Sequence, residues 1–168
     1  MNFLELAKAR VSCRSYSGAP VSKESVMSVM EAGRLAPSAR NRQNWAFYYA
    51  QIGDRAENFI EACYGQKFVG QAHGFIAVCD KTDDYVMKCG QNAGSVDCSI
   101  AMTFMIMRAT EIGLGTCWLG RFSPERVKSL LDIPESYAVV ACSTIGHPAG
   151  ETPRQPRKEL SEVFDLRS

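Results

Sequence analysis

No apolar run in this 168-residue sequence approaches the roughly 18 residues a membrane-spanning helix needs, so no membrane segment is expected. Neither charge sign is in excess: 19 lysines and arginines face 18 acids, a formal net charge of +1. Nucleic-acid binders usually carry a basic surplus, so nucleic acid is not an expected partner. The seven cysteines, at 13, 63, 79, 89, 98, 117 and 142, contain no C-x-x-C pair and are odd in number. Several sit in apolar runs (FIAVCD, VVACSTI), where a reduced thiol packs as a small hydrophobe. His73 and His147 stand at no recognised ligand spacing from a cysteine, so no metal site is expected. The N-terminal MNFLELAKARVSC lacks the apolar stretch of a signal peptide, which predicts a cytoplasmic protein. There is no G-x-S-x-G, and GLG at 113–115 follows a helix and lacks the third glycine of a dinucleotide fingerprint. The acidic pair Asp83/Asp84 falls in a polar connector and reads as solvated. A chain without a nucleophile or an acid–base set suits chemistry carried by a bound cofactor.

What is present reads as one domain over residues 1–168, long enough to bury a core. Residues 2–9 predict a short helix capped by Asn2. Ser22 caps a second helix that buries Val26, Val29, Met30 and Gly33 and ends at Pro37. WAFYYAQI (45–52) and YAVVACSTIG (137–146) predict strands. HGFIAVCD (73–80) predicts a strand buried on both faces. Residues 54–63 suggest a helix. Ser123-Pro124 starts another, which closes before Pro134, and 158–165 predicts a short helix in the tail. The longest helix, 91–112, shows Val96, Ile100, Phe104 and Met107 on one face, expected to pack into the core, with Gly113 and Gly115 stopping it. TCWLG is a short strand or extended turn. Helices mixed with three or four strands indicate an α/β or α+β sandwich with an exposed sheet edge, open to another chain.

Two stretches carry more polar chemistry than a connector needs. In RVSCR, an extended backbone points Arg10, Ser12 and Arg14 the same way, a claw of two guanidiniums and a hydroxyl suited to phosphate. Arg154, Arg157 and Lys158 in the tail could complete it. RLAPSARNRQNW (34–45) packs proline, serine, two asparagines, glutamine and three arginines between a helix and a strand, and holds no acid. That excess asks for a ligand.

These stretches, with KFVGQAHGFIAVCDKT, EIGLGTCWLGRF and GHPAGETPRQPRKEL in the same order, resemble the nitroreductase family of FMN-dependent oxidoreductases over nearly the whole chain. The resemblance implies an α+β fold with a mainly antiparallel central sheet flanked by helices. It also implies a homodimer in which the C-terminal tail extends onto the partner subunit. Arg10, Ser12, Arg14 and Arg157 would hold the FMN phosphate. Pro37, Ser38, Asn41 and Gln43 would lie against the isoalloxazine, largely from the opposite subunit. Gln66 and Lys67 would stand near the ring, and Leu119 and Gly120 would offer backbone on its N5 side. No residue is required as an obligatory catalytic acid. NADH or NADPH would be the electron donor, and a nitroaromatic, quinone or similar small molecule the acceptor. A specialised relative (dehalogenating or flavin-degrading) and a non-enzymatic flavin-binding redox partner are the alternatives. Asn44 stands where the family has proline before Trp45, which predicts a looser loop with one more donor. The short 81–92 connector predicts an open site, or one closed by a partner chain.

Overall fold

The computed structural model describes residues 1–82 and 84–167, so Asp83 of the acidic pair lies outside the described residues. In chain order the elements are α1 (Phe3–Ala9), α2 (Lys23–Arg34), β1 (Trp45–Gln51), α3 (Ala56–Ala62), β2 (Gly74–Asp80), α4 (Ala93–Glu111), β3 (Gly115–Leu119), α5 (Pro124–Leu131) and β4 (Ala138–Gly146). The strands form one sheet in the order β1-β2-β4-β3, every neighbouring pair antiparallel. Four helices begin where a side chain accepts an otherwise unpaired N–H: Asn2 from Glu5, Ser22 from Ser25, Asn92 from Ser95 and Ser123 from Arg126. The helix expected over 54–63 is shorter, because Gly53–Arg55 forms a 3₁₀ turn ahead of Ala56.

Side chains on the two faces of the sheet build two cores. Ile76 and Val78 of β2 pack with Val29 of α2 and Met102 and Met105 of α4. Phe75, Ala77 and Cys79 of the same strand face Phe59 of α3 and Val127 of α5. Strand β2 is therefore buried along its whole length, as its continuous apolar run predicts.

Helix α4 turns the other way from its expected orientation. Its buried residues are Ala93, Gly94, Asp97, Cys98, Ala101, Met102, Met105, Ile106 and Ala109. Val96, Ile100 and Met107 are only half-buried, and Phe104 is exposed. Ala93, Gly94, Ala101 and Ala109 let the helix approach the sheet and α2 closely, Met102, Met105 and Ile106 fill the space between them, and the row of Val96, Ile100, Phe104 and Met107 is left on the outer side beside Ser95, Ser99 and Thr103. The tail also departs from expectation: instead of a helix over 158–165 there is one 3₁₀ turn, Leu160–Glu162. So short a helix is marginal without a surface to pack on, and Leu160, Val163, Phe164 and Leu166 are all exposed.

The free edge of β3 is covered by the chain's own start. Ser12 bridges Thr116 in parallel, and the Cys13 N–H donates to the Thr116 carbonyl at 2.8 Å. The Tyr16 hydroxyl reaches Thr144 Oγ1 at 2.7 Å and the Cys13 carbonyl at 3.0 Å. A side chain at Gly115 would strike Cys13 and Pro148, so glycine is needed where these segments converge. Among the described residues nothing pairs with the outer edge of β1.

All seven cysteines are free, and all but Cys89 are buried. Burial pushes the thiols of Cys63, Cys79 and Cys98 up to about 12. An unfolded thiol ionises near 8.5, so above that pH the unfolded chain loses protons that the folded chain keeps. Stability from these thiols is complete below about pH 8. It falls by up to about 1.4 kcal/mol per pH unit for each thiol between about 8.5 and 12. Urea midpoints measured from pH 7 to 10.5 should drop across the upper range; a flat profile would contradict the burial of these groups.

Candidate functional site

The claw forms. Arg10, Val11, Ser12 and Arg14 line one wall of a cleft of about 360 Å³, and Thr152, Pro153, Arg154, Gln155 and Arg157 of the tail line the other. The tail arrives there because residues 147–149 run beside 15–17: the Ser17 N–H donates to the His147 carbonyl, and the Ala149 N–H to Ser15. Cys13 turns inward between the two claw residues, as alternation in an extended segment requires. Four arginines line this cleft and no acidic residue does. Burial raises the Cys117 thiol beneath them, and the positive charges of Arg14 and Arg10 oppose that rise. The Arg157 guanidinium donates to the carbonyls of Gln155 and Pro156, which curls it onto its own segment.

The loop between α2 and β1 is held by several fastenings. The Ala39 N–H donates to both oxygens of Asp97, at 3.0 and 3.1 Å. The Gln43 N–H donates to Ser38 Oγ at 3.0 Å, and the Gln43 amide donates to Asn41 Oδ1 at 3.1 Å. Arg40, Asn41 and Gln43 all have positive φ, at 53°, 54° and 51°. Each non-glycine residue there costs about 1–2 kcal/mol, so the surrounding bonds must hold the shape. Asn44 corrects the expectation of a looser loop. Its amide donates to Asp80 Oδ1 at 3.1 Å, which replaces the stiffness of a proline by a side-chain tie. Asp80 in turn lies so close over Gly94, in the first turn of α4, that any side chain there would collide with its carboxylate. Pro37, Asn41 and Gln43 are exposed, and Ser38 is half-buried.

Gln66 donates from its amide to the carbonyls of Cys63 and Arg121, at 3.0 and 2.9 Å. That pins it beside the end of β3, where Leu119 is buried and Gly120 exposed; Lys67 is exposed next to it. These four residues and the claw share the β3 side of the sheet. The 37–43 loop does not. It enters β1 at Trp45, level with Asp80, whereas Ser12 of the claw pairs with Thr116, level with Ile145. Claw and loop therefore occupy diagonally opposite corners of the four-stranded sheet, on the order of 20 Å apart at ordinary strand spacings.

Asp97, Asp80 and Tyr85, which fix the loop, carried no expectation of a role. Asp97 did leave a signal, being a lone acid early in an apolar helix. Tyr85 left none; it takes the guanidiniums of Arg40 and Arg42 on its ring, at 5.4 and 4.7 Å.

The family model described as the nitroreductase family matches residues 7–81 and 51–147. The chain belongs to this family. A protein of Archaeoglobus fulgidus named for NADH dehydrogenase/NAD(P)H nitroreductase activity is 30% identical over 152 residues, 88% of this chain and 86% of that protein. An FMN reductase [NAD(P)H] of Bacillus subtilis is 29% identical over 163 residues, 87% of this chain and 66% of its own length. The crystal structure of a nitroreductase family protein of Clostridium difficile 630 superposes with a TM-score of 0.86 at 28% identity, covering 100% of this chain and 99% of that one. Among the described residues no helix is long and apolar enough to cross a membrane.

The twin bonds from Ala39 to Asp97 hold a loop that exposes two trypsin sites, Arg40 and Arg42. Asp97→Ala leaves that N–H unpaired and releases the loop. Tryptic cleavage after Arg40 and Arg42 should accelerate several-fold while cleavage elsewhere keeps its rate. An unchanged cutting pattern would show that Asp97 does not hold the loop.

Proposed function

We propose that this oxidoreductase of the nitroreductase family binds FMN between two copies of the chain and uses NADH or NADPH to reduce a small acceptor such as a nitroaromatic or quinone. The observation that carries the reading is the cleft lined by four arginines and no acid. Like charges gathered this way repel one another unless an anion joins them, and guanidiniums match phosphate oxygens in pairs. The donor set fits FMN: fixed cations for the phosphate and exposed amides for the polar edge of a ring. When bound, FMN supplies hydride acceptance and donation.

In this reading Arg10, Ser12, Arg14 and Arg157 anchor the phosphate. Pro37 and Ser38 of the other chain cushion the isoalloxazine, and Asn41 and Gln43 of that chain pair with its pyrimidine edge. Lys67 balances negative charge gathering at that edge, and Gln66 stands beside it. Leu119 and Gly120 present backbone to the N5 side. No side chain needs to carry a proton, because solvent reaches an open site.

Three surfaces support a dimer. The outer side of α4 carries an apolar row, Val96, Ile100, Phe104 and Met107, of which Phe104 is exposed, and such a row favours cover by another chain. The outer edge of β1 has unpaired backbone groups. Leu160, Val163, Phe164 and Leu166 of the tail find nothing to pack on within one chain, which favours a tail that crosses to the partner. Buried free thiols suit a reducing, cytoplasmic compartment.

The purified protein should be yellow or become so with FMN; a colourless protein that cannot be loaded would overturn the reading. Arg14→Ala removes a charge-assisted phosphate contact worth about 1.5–3 kcal/mol, so FMN should bind about 10- to 150-fold more weakly, measured by flavin fluorescence quenching. Unchanged affinity would remove Arg14 from the site.

A further inference from the structure

Arg40 has no role in the site as proposed, yet its position is costly to maintain. Its backbone is left-handed, at φ 53°, with Asn41 beside it at 54°. Its guanidinium lies 5.4 Å above the Tyr85 ring, which restrains a side chain that would otherwise wander in solvent. Glu31 pairs with Arg34, Asp97 takes the Ala39 N–H, and Asp80 takes the Asn44 amide, while Asp84 beside Tyr85 is exposed. Among the described residues Arg40 has no carboxylate partner. Arg42 and Tyr85 have further contacts of their own and are not asked to supply the charge. The result is the Arg40 guanidinium held on an aromatic shelf that it shares with Arg42, next to two exposed amide side chains and far from the four-arginine cleft.

We propose that Arg40, held on Tyr85, binds a phosphate group of the nicotinamide dinucleotide and so sets the affinity for the electron donor. The inference rests on the flavin reading above. There the loop of one chain lies at the ring end of the cofactor, while the cofactor's own phosphate sits in the other chain's cleft. The anion that reaches Arg40 then belongs to the reactant arriving at the ring. Of the two reactants the dinucleotide carries phosphates, whereas nitroaromatics and quinones need carry no charge. Tyr85 adds a flat apolar rim to the same mouth, from the connector 81–92.

The test compares donors on FMN-loaded protein. NADH and NADPH carry the phosphates, and 1-benzyl-1,4-dihydronicotinamide delivers hydride without any. Arg40→Gln should raise the KM for NADH, NADPH or both by roughly three- to tenfold with kcat held, as expected when an exposed ion contact is lost from uniform binding. Its KM for the phosphate-free donor and its affinity for FMN should match wild type. Arg40→Lys should restore part of the loss. An effect on NADPH alone assigns the 2′-phosphate, and an effect on both assigns the diphosphate. If Arg40→Gln leaves every donor unchanged, or impairs the phosphate-free donor equally, the assignment of Arg40 is wrong while the flavin reading stands. If wild-type protein loaded with FMN oxidises none of the three donors, the oxidoreductase reading fails and Arg40 goes with it.

Discussion

Strand order is the constraint on which the rest depends. With the sheet ordered β1-β2-β4-β3, the loop that feeds β1 and the segment that covers the edge of β3 cannot meet within one chain. Antiparallel register then sets them at opposite ends as well as opposite edges. A ligand that needs both must be reached by two copies. Three features are left open in a single chain: an apolar row on the outer side of α4, the outer edge of β1, and a tail of exposed hydrophobic side chains.

Each corner is stabilised by different means. The claw's backbone is fastened to the sheet by the Ser12–Thr116 bridge, by the Cys13 N–H to Thr116 and by Tyr16 to Thr144. The loop has no strand to join. It is fixed by two buried acids, Asp80 and Asp97, which accept from Asn44 and Ala39. Three non-glycine residues at positive φ persist because these bonds over-determine the shape. Gly94 is part of the same device, since only a residue without a side chain lets Asp80 settle over the first turn of α4.

Much of this was legible in the sequence. Three of the four strands, the helix caps at Asn2, Ser22 and Ser123, and the alternation of Arg10, Ser12 and Arg14 follow from local rules that a short window contains, whereas TCWLG reads equally as a strand or an extended turn. The face of α4 was not legible. Periodicity marks Val96, Ile100, Phe104 and Met107 as a buried stripe, but it cannot distinguish burial inside the chain from burial against another molecule. The looseness expected at Asn44 also failed, because its partner Asp80 lies 36 residues away. The shelf under Arg40 escaped for the same reason: Tyr85 lies more than 40 residues away, in a connector without regular periodicity. Long-range pairing of side chains leaves no periodic trace.

The central claim is that each cofactor site draws on two chains, and hybrid dimers test it most directly. One chain carries Arg10→Ala and Arg14→Ala; the other carries Asn41→Ala and Gln43→Ala. Each variant alone should bind FMN poorly. A hybrid dimer of the two contains one site with both halves intact, so titration should show one FMN per dimer bound with wild-type affinity. No recovery in a verified hybrid dimer would mean that claw and loop serve the cofactor from the same chain, and the two-chain site would be contradicted.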